Sequence, residues 1–181
     1  MTIKYSLDQD DYLEHLLFIT SKSKEFRKNR ILVSVIVTSL IALIGILFYV
    51  YNNNLMALYC GVCAIIFLVI LPSRLARRFK IRFLKHILET YKNAFGEEIT
   101  LSLEDLYIDI QDINGVSKIN YSALEEIIEI PNHILIKLKT GNSLIIPKKK
   151  IIELDHFKME LQILMNKLAI NYAQELDWKW K

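Results

Sequence analysis

The fold is decided by residues 31–71, which read ILVSVIVTSLIALIGILFYVYNNNLMALYCGVCAIIFLVIL. This run contains no Asp, Glu, Lys, Arg or His, and three asparagines at positions 52–54 interrupt it near the middle. Because a helix of about 20 apolar residues crosses a hydrocarbon core about 30 Å thick, the run is long enough to cross it twice. We therefore predict a transmembrane hairpin over 31–71, with spans at 31–51 and 55–71 and the second span stopped by Pro72.

Basic residues flank both spans, and the short loop between them carries no charge. The flanking cations are Lys22, Lys24, Arg27, Lys28 and Arg30 before the first span, and Arg74, Arg77, Arg78, Lys80, Arg82 and Lys85 after the second. Because positive residues beside a span are retained on the cytoplasmic side, we expect two crossings with both termini in the cytoplasm. The alternative is a buried helical hairpin in a soluble protein, but core helices are usually shorter than these spans.

The charge is divided unevenly along the chain. Residues 1–96 hold 13 Lys and Arg against 6 Asp and Glu, whereas residues 97–181 hold 10 against 14. The basic excess adjoins the spans, and the acidic remainder has no basic stripe that could follow a nucleic acid. The sequence pI of about 8.7 therefore reflects membrane topology, and we expect no nucleic-acid partner.

The N-terminal segment 1–30 predicts a short strand followed by an amphipathic helix. Residues 2–6 alternate weakly, and Asp8 is placed to cap the helix that follows. Apolar residues at helical spacing form one stripe of this helix: Tyr12, Leu13, Leu16 and Leu17. The stripe could lie on the membrane surface, although packing against the soluble domain is the favoured interpretation.

The segment 72–96 predicts a basic juxtamembrane helix, with Gly96 suited to its C-cap. Its cations can attract anionic headgroups, each contributing about 1 kcal/mol. The candidate lipid-headgroup contacts are Arg74, Arg77, Arg78, Lys80, Arg82 and Lys85. The favoured alternative is an ordinary positive flank that continues into a packing helix.

The segment 97–181 predicts a cytoplasmic domain of short strands followed by one helix. Apolar alternation places strands near 99–103, 106–110, 116–121, 127–130, 133–140 and 144–146. Asn114-Gly115 and Gly141-Asn142 predict hairpin turns, and Ser122 with Glu125 suggests a capping box. A helix is predicted over 154–172. We therefore expect an α+β membrane protein whose antiparallel sheet or barrel is closed by a C-terminal helix, as in pleckstrin-homology-like domains.

The chain resembles the YcxB-like family of bacterial membrane proteins. The resemblance rests on the strand at Ile3 and Tyr5 before an acidic helix start, on the two-span hairpin, and on a C-terminal run. That run contains Ile119, Asn120, Tyr121, Leu124, Ile127, Ile128 and Glu129, then Ile145, Ile146, Pro147, Lys148 and Lys149. Tyr121 stands where the family usually has tryptophan, and Ile151 where an aromatic residue is frequent. The resemblance implies a bacterial inner-membrane protein with a pleckstrin-homology-like cytoplasmic module, and it implies no particular activity.

Cys60 and Cys63 form the most reactive-looking pair in the sequence. Two close cysteines can exchange disulfides when a cation or helix N-terminus stabilises a thiolate, but hydrocarbon surroundings oppose this. Together with Gly61 and Ala64 they are better explained as small residues at a helix–helix contact. A redox enzyme therefore stays a minor alternative.

The remaining polar residues are assigned to ordinary positions. The four histidines are expected at surfaces or interfaces and lack metal-ligand spacing: His15, His86, His133 and His156. The strand and turn acids are expected to face solvent: Asp109, Asp112, Glu125, Glu126 and Glu129. Lys148, Lys149 and Lys150 are interpreted as a solvated turn, with a phosphoinositide-binding loop as the alternative. The tail Trp178 to Lys181 is interpreted as an aromatic clasp on the domain or a frayed end, with a position at the membrane interface as the alternative. We expect no catalytic residue, cofactor or metal.

The leading functional hypothesis is a non-catalytic membrane protein whose cytoplasmic domain binds a protein or a lipid headgroup. Its expected partners are the lipid bilayer, anionic lipids and an unidentified protein. The alternative is a resistance or immunity protein that shields a bacterium from membrane-active peptides. A pore is disfavoured because neither span has a polar face.

Overall fold

The computed structural model describes residues 1–180. In chain order the elements are β1 Thr2–Ser6, α1 Gln9–Lys22, α2 Lys24–Val50, α3 Asn54–Thr90, β2 Glu98–Leu103, β3 Tyr107–Asp112, β4 Gly115–Asn120, β5 Leu124–Glu129, β6 His133–Leu138, β7 Ser143–Pro147, α4 Leu154–Leu168 and β8 Asn171–Gln174. Two compact units result: an α+β unit of Met1–His15 with Lys85–Lys179, and a helical unit of Leu16–Leu84 with Trp180. The predicted α+β class with antiparallel sheets and two long apolar helices is confirmed.

The first sheet of the α+β unit has the antiparallel order β1-β2-β3-β4. Ile3 of β1 pairs with Leu101 of β2, and both side chains are buried, as is Ile108 of β3. The strand at 2–6 was predicted, but its partner was not, because α2 and α3 separate β1 from β2 in the sequence. The first residues of the predicted segment 1–30 therefore belong to the same unit as the C-terminal domain.

The second sheet has the order β7-β6-β5-β8, in which β8 runs parallel to β5. Its core includes the fully buried side chains of Ile127, Ile134, Ile136 and Ile146, together with Phe157 and Leu161 of α4. The prediction that the last helix reaches residue 172 is wrong. Ala169 takes a left-handed conformation with φ 52°, which ends α4, and the following residues pair with β5 instead.

The helical unit contains α2 and most of α3, the two helices that are long and apolar enough to cross a membrane, judged by length and composition. In their most apolar windows only 11 % and 6 % of the residues are buried, whereas the core helix of a soluble protein is mostly buried. Ser34, Gly45, Ala64 and Ala76 are among the few buried positions of these helices, and all four residues are small. Close approach of small residues is typical of helix packing in membranes.

Two predicted helix boundaries in this region are wrong. Pro72 lies inside α3, which continues to Thr90, so the segment predicted as juxtamembrane continues the second apolar helix without a break. Proline removes one backbone hydrogen bond from a helix. The part of α3 that comes after Pro72 nevertheless packs within the helical unit. The ring of Phe79 lies 4.6 Å from that of Phe26 in an edge-to-face arrangement. Gly96 has a φ of 78° but follows α3 by six residues, so it does not cap this helix.

The predicted capping box at Ser122 and Glu125 does not form. Residues Tyr121–Ala123 make a single 3-10 turn, and Glu125 already belongs to β5. Only this single turn precedes β5, because β5 begins at Leu124 and pairs on both sides, with β6 and β8.

Candidate functional site

The six candidate lipid-headgroup contacts all lie on α3, and all six are exposed. Of these six, Arg74 and Arg78 share a groove of about 330 Å³ on one side of the helix. The other lining residues of the groove are apolar: Ile66, Phe67, Ile70, Leu71 and Leu75. The structure thus brings together two of the six predicted residues and adds an apolar surface to them.

The other four cations lie outside this groove. Lys85 forms an exposed ion pair with Glu89 at 3.8 Å, and Arg82 lies over the ring of Phe79, 5.7 Å from its centroid. Arg77 and Lys80 are exposed on α3 and do not line the groove. An exposed ion pair such as that of Lys85 with Glu89 contributes little to stability. Because all four cations are exposed, this part of α3 is an accessible positive surface.

A buried polar cluster joins α1 to the second sheet within the α+β unit. This His133 cluster consists of Asp11, Glu14, Asn132, His133 and Lys150. Nε2 of His133 lies 2.7 Å from Oδ1 of Asp11, and Lys150 donates to Oδ2 of the same carboxylate at 2.7 Å. Asn132 donates to the Glu14 carboxylate at 3.0 Å, and Nδ1 of His133 lies 3.7 Å from Oε1 of Glu14.

The charges of the His133 cluster compensate one another. Burial opposes ionisation of Asp11, yet hydrogen bonds from His133 and Lys150 lower its pKa well below the ordinary range. Burial likewise opposes protonation of His133, but its contacts with Asp11 and Glu14 raise its pKa. The neighbouring His15 behaves differently, because burial and the charge of His133 lower its pKa to about 4. The arrangement holds paired charges and is suited to attaching α1 to the sheet.

A second buried cluster lies at the end of β5. This Glu129 cluster consists of Glu129, Lys148, Lys158 and Tyr172. Lys148 and Lys158 donate to Oε1 of Glu129 at 2.8 and 2.7 Å, and the Tyr172 hydroxyl donates to Oε2. Burial opposes ionisation of Glu129, but these three hydrogen bonds lower its pKa to about 2. Burial and the Glu129 carboxylate raise the pKa of Tyr172 to about 12.

These two clusters correct several sequence predictions. Glu129 was expected to face solvent and His133 to lie at a surface or an interface, but the two residues are only 3 % and 2 % exposed. Lys148 and Lys150 were interpreted as a solvated turn, whereas each forms ion pairs with carboxylates of the α+β unit. Sequence periodicity missed these residues because the partners come from elements far apart in the chain. The one local signal was the position of Glu129 directly after Ile127 and Ile128 in β5.

The helix contact at the cysteines is partly as predicted. A Cβ atom on Gly45 would lie 3.0 Å from the Cβ of Cys60, and Ala64 is buried, so these small residues do line the contact. Gly61 is exposed, and a Cβ atom on it would meet no other atom within 4 Å, so its predicted place in the contact is wrong. Cys60 and Cys63 carry free thiols.

The favoured prediction for the tail was a clasp on the domain or a frayed end, and the alternative was a position at the membrane interface. Instead, Trp180 belongs to the helical unit, where its indole Nε1 donates to the Ala76 carbonyl at 3.3 Å. Its ring centroid lies 6.1 Å from that of Phe26. Lys181, the last residue of the predicted tail, lies outside the described residues.

The protein has an α+β fold. In the sequence, its two long apolar helices lie between the first two strands of one sheet. Residues 103–160 match the family described as YcxB-like protein, so the resemblance seen in the sequence is confirmed for this segment. No curated protein and no solved structure matches the chain.

The matched segment contains residues that hold the α+β unit together. Glu129 and Lys148 form the centre of the Glu129 cluster, and the Tyr121 hydroxyl donates to the Glu104 carbonyl. Pro147 ends β7, opposite His133 of β6. The family motif therefore describes the architecture of the α+β unit, and the groove on α3 lies outside the matched residues.

Proposed function

We propose that the chain is a non-catalytic integral protein of the bacterial cytoplasmic membrane. In this proposal α2 and α3 span the bilayer, and the α+β unit lies in the cytoplasm to bind a protein or a lipid headgroup. The observation that best supports it is the apolar surface of the two helices, where Leu55 and Val69 are 78 % and 71 % exposed. Soluble proteins rarely leave extended apolar patches facing water. The cations at the ends of the spans favour cytoplasmic termini.

We also propose that the α+β unit is pleckstrin-homology-like. Four strands, β1 to β4, form one antiparallel sheet, and the three strands β5 to β7 form a second antiparallel set that precedes α4. This order of elements is the one expected of such domains. In this interpretation, the α2–α3 hairpin is inserted in the connection between β1 and β2, and β8 is an addition after α4.

A binding role is supported over a catalytic one by the state of the buried ionisable groups. Glu129 and Asp11 are engaged by lysine ammonium groups, and the pKa of each carboxyl is lowered by those contacts. A catalytic acid or base usually needs a pKa near the operating pH. The arrangement of these carboxylates is that of paired structural charges.

The membrane part of the proposal is tested by alkaline carbonate extraction of membranes that contain the full chain. We expect the chain to stay in the pellet, because two spans cannot leave the bilayer when ionic contacts are broken. A peripheral control protein should move to the supernatant. Release of the full chain would contradict the proposal.

The orientation is tested by cysteine labelling in a C60S/C63S background. We expect Tyr51→Cys, at the end of α2, to react in intact cells with a membrane-impermeant maleimide. Asn142→Cys, in the turn between β6 and β7, is the matched cytoplasmic control and should react only after permeabilisation. Labelling of Asn142→Cys in intact cells would contradict the cytoplasmic location of the α+β unit.

A further inference from the structure

We propose that the groove on α3 binds one anionic phospholipid, with its phosphate between Arg74 and Arg78 and one acyl chain along the apolar residues of the groove. This inference rests on the proposed function, because it requires α3 to lie in a bilayer. It names the lipid and the residues that recognise it. A general positive flank would attract anionic lipids without selecting any position.

The shape of the groove fits an acyl chain that ends at a charged group. Its apolar lining begins at Ile66 and continues through Ile70 toward Arg74. These residues follow one another at four-residue steps, so they lie on one side of the helix. From Ile66 to Arg74 the helix rises by about 12 Å, which accommodates part of an extended hydrocarbon chain.

The two arginines are suited to a single phosphate. Arg74 and Arg78 are one helical turn apart, about 6 Å along the axis, and both line the groove. A guanidinium group presents a planar fork of donors that matches phosphate oxygens. Two such forks at one turn's separation can hold the same headgroup from both sides.

The charge of these arginines is uncompensated within the part of the chain that the structure describes. Lys148 and Lys150 of the α+β unit are neutralised by Glu129 and Asp11. No carboxylate of residues 1–180 forms an ion pair with Arg74 or Arg78, so the described acids leave both guanidinium groups open to an anionic ligand. An anionic lipid supplies the counter-charge at the depth where α3 passes from apolar to basic residues.

The other cations of α3 provide a matched comparison. Consecutive helical residues are about 100° apart, so Lys80 projects from a different side of the helix than Arg78. Arg77 and Lys80 are exposed but do not line the groove. Removing the charges of Arg77 and Lys80 weakens the general attraction to anionic lipids as much as removing those of Arg74 and Arg78. It leaves the groove intact.

The test is native mass spectrometry of the full chain in detergent, titrated separately with phosphatidylglycerol and phosphatidylcholine. We expect the unchanged protein to bind one phosphatidylglycerol about tenfold more tightly than phosphatidylcholine. R74Q/R78Q should lose about tenfold in affinity for phosphatidylglycerol. R77Q/K80Q should stay within about threefold, since only a screened, non-specific attraction is removed.

A steric variant tests the acyl part without changing charge. Ile70→Trp fills the groove and should weaken phosphatidylglycerol binding, whereas Val69→Trp, on the neighbouring position outside the groove, should leave binding unchanged. R74K/R78K keeps both charges and loses the fork geometry, so it should fall between the wild type and R74Q/R78Q. Circular dichroism of each variant confirms that α2 and α3 are still helical.

The outcomes separate the lipid site from the membrane proposal. Equal losses in R74Q/R78Q and R77Q/K80Q, or unchanged binding in both, would overturn the site. Equal affinity of the wild type for the two lipids would also overturn it. In each of these cases the chain would still resist carbonate extraction, whereas failure of the proposed function would appear as release of every variant, including the wild type.

Discussion

The two units of the molecule place the same apolar residue types in opposite environments. In the α+β unit isoleucine and leucine fill the interior, and the carboxylates buried with them are paired with cations. In the helical unit most apolar side chains are on the outside, and small residues such as Gly45 and Ala64 come close together. Exclusion of water stabilises the first arrangement. The second is favourable in hydrocarbon, where helices associate through close packing. The two units should therefore be destabilised by different kinds of substitution.

The largest effect is expected from removing the centre of the Glu129 cluster. Glu129→Ala leaves Lys148, whose side chain is only 12 % exposed, without its carboxylate. Breaking a buried ion pair by removing one partner destabilises a protein by about 3–5 kcal/mol. Thermal unfolding of the full chain in detergent, followed by near-ultraviolet circular dichroism, measures the loss.

The control for this prediction is Glu125→Gln. Glu125 pairs with Lys137 at 2.8 Å, but both side chains are at least about a third exposed. Such a surface pair contributes about 0–1 kcal/mol. If Glu129→Ala and Glu125→Gln shifted the unfolding temperature equally, the α+β unit would not depend on its buried charges as argued.

The next largest destabilisation is expected from placing a larger side chain at the helix contact of the helical unit. Gly45→Val adds a side chain whose Cβ would start 3.0 Å from the Cβ of Cys60, a distance that forces the helices apart. Overpacking of this kind typically destabilises by about 1–3 kcal/mol. The matched variant Gly61→Val meets no atom within 4 Å and should leave the unit unaffected. Loss of helical ellipticity on titration with a denaturing detergent distinguishes the two, and equal sensitivity would contradict the predicted contact.

A smaller effect is expected from pH, and it belongs to the α+β unit alone. The pKa of His133 is raised in the folded state, so His133 stabilises the fold fully below about pH 6.5. This stabilisation is lost as the pH rises through the pKa that His133 has in the folded state. The folded pKa of His15 is lowered to about 4, so stability falls as the pH drops from about 6.5 toward 4. The two histidines therefore act on opposite sides of about pH 6.5 and together give the wild-type stability profile a maximum near that pH.

The measurement is the unfolding temperature of the full chain between about pH 5 and 8, a range above the lowered pKa values of Asp11 and Glu14. His133→Gln should remove the loss of stability on the alkaline side, and His15→Gln the loss on the acidic side. A profile unchanged by either substitution would show that the His133 cluster is not formed in solution.

Much of the fold could be predicted from local patterns. The uncharged run 31–71 predicted the two apolar helices, and the Asn114-Gly115 turn with its flanking alternation predicted β3 and β4. Both signals are local, since helices, hairpins and turns depend on residues close in sequence. What could not be predicted were the pairings between distant segments, such as β1 with β2 and β8 with β5.

The site was predictable in part for the same reason. The positive flank identified Arg74 and Arg78 among six cations, because a charge beside an apolar run is visible in sequence. The sequence did not distinguish these two from the other four, since that requires knowing that α3 continues through Pro72. Glu129 was predicted to face solvent and His133 had no predicted partner, because the lysine and aspartate residues that contact them lie in other elements.

The smallest effect is expected at Trp180, the last described residue, which joins the helical unit through one hydrogen bond and one ring contact. Trp180→Phe keeps an aromatic ring near Phe26 but loses the donor to the Ala76 carbonyl, so it should destabilise by about 1 kcal/mol or less. Trp180→Ala loses both contacts and should destabilise more, since an aromatic pair adds about 0.5–1.5 kcal/mol beyond its buried area. Because about 1 kcal/mol shifts the unfolding temperature of a chain of this size by about 2–4 °C, thermal unfolding in detergent resolves the two variants. Equal stability of Trp180→Ala and the wild type would mean that the tail is not attached to α3.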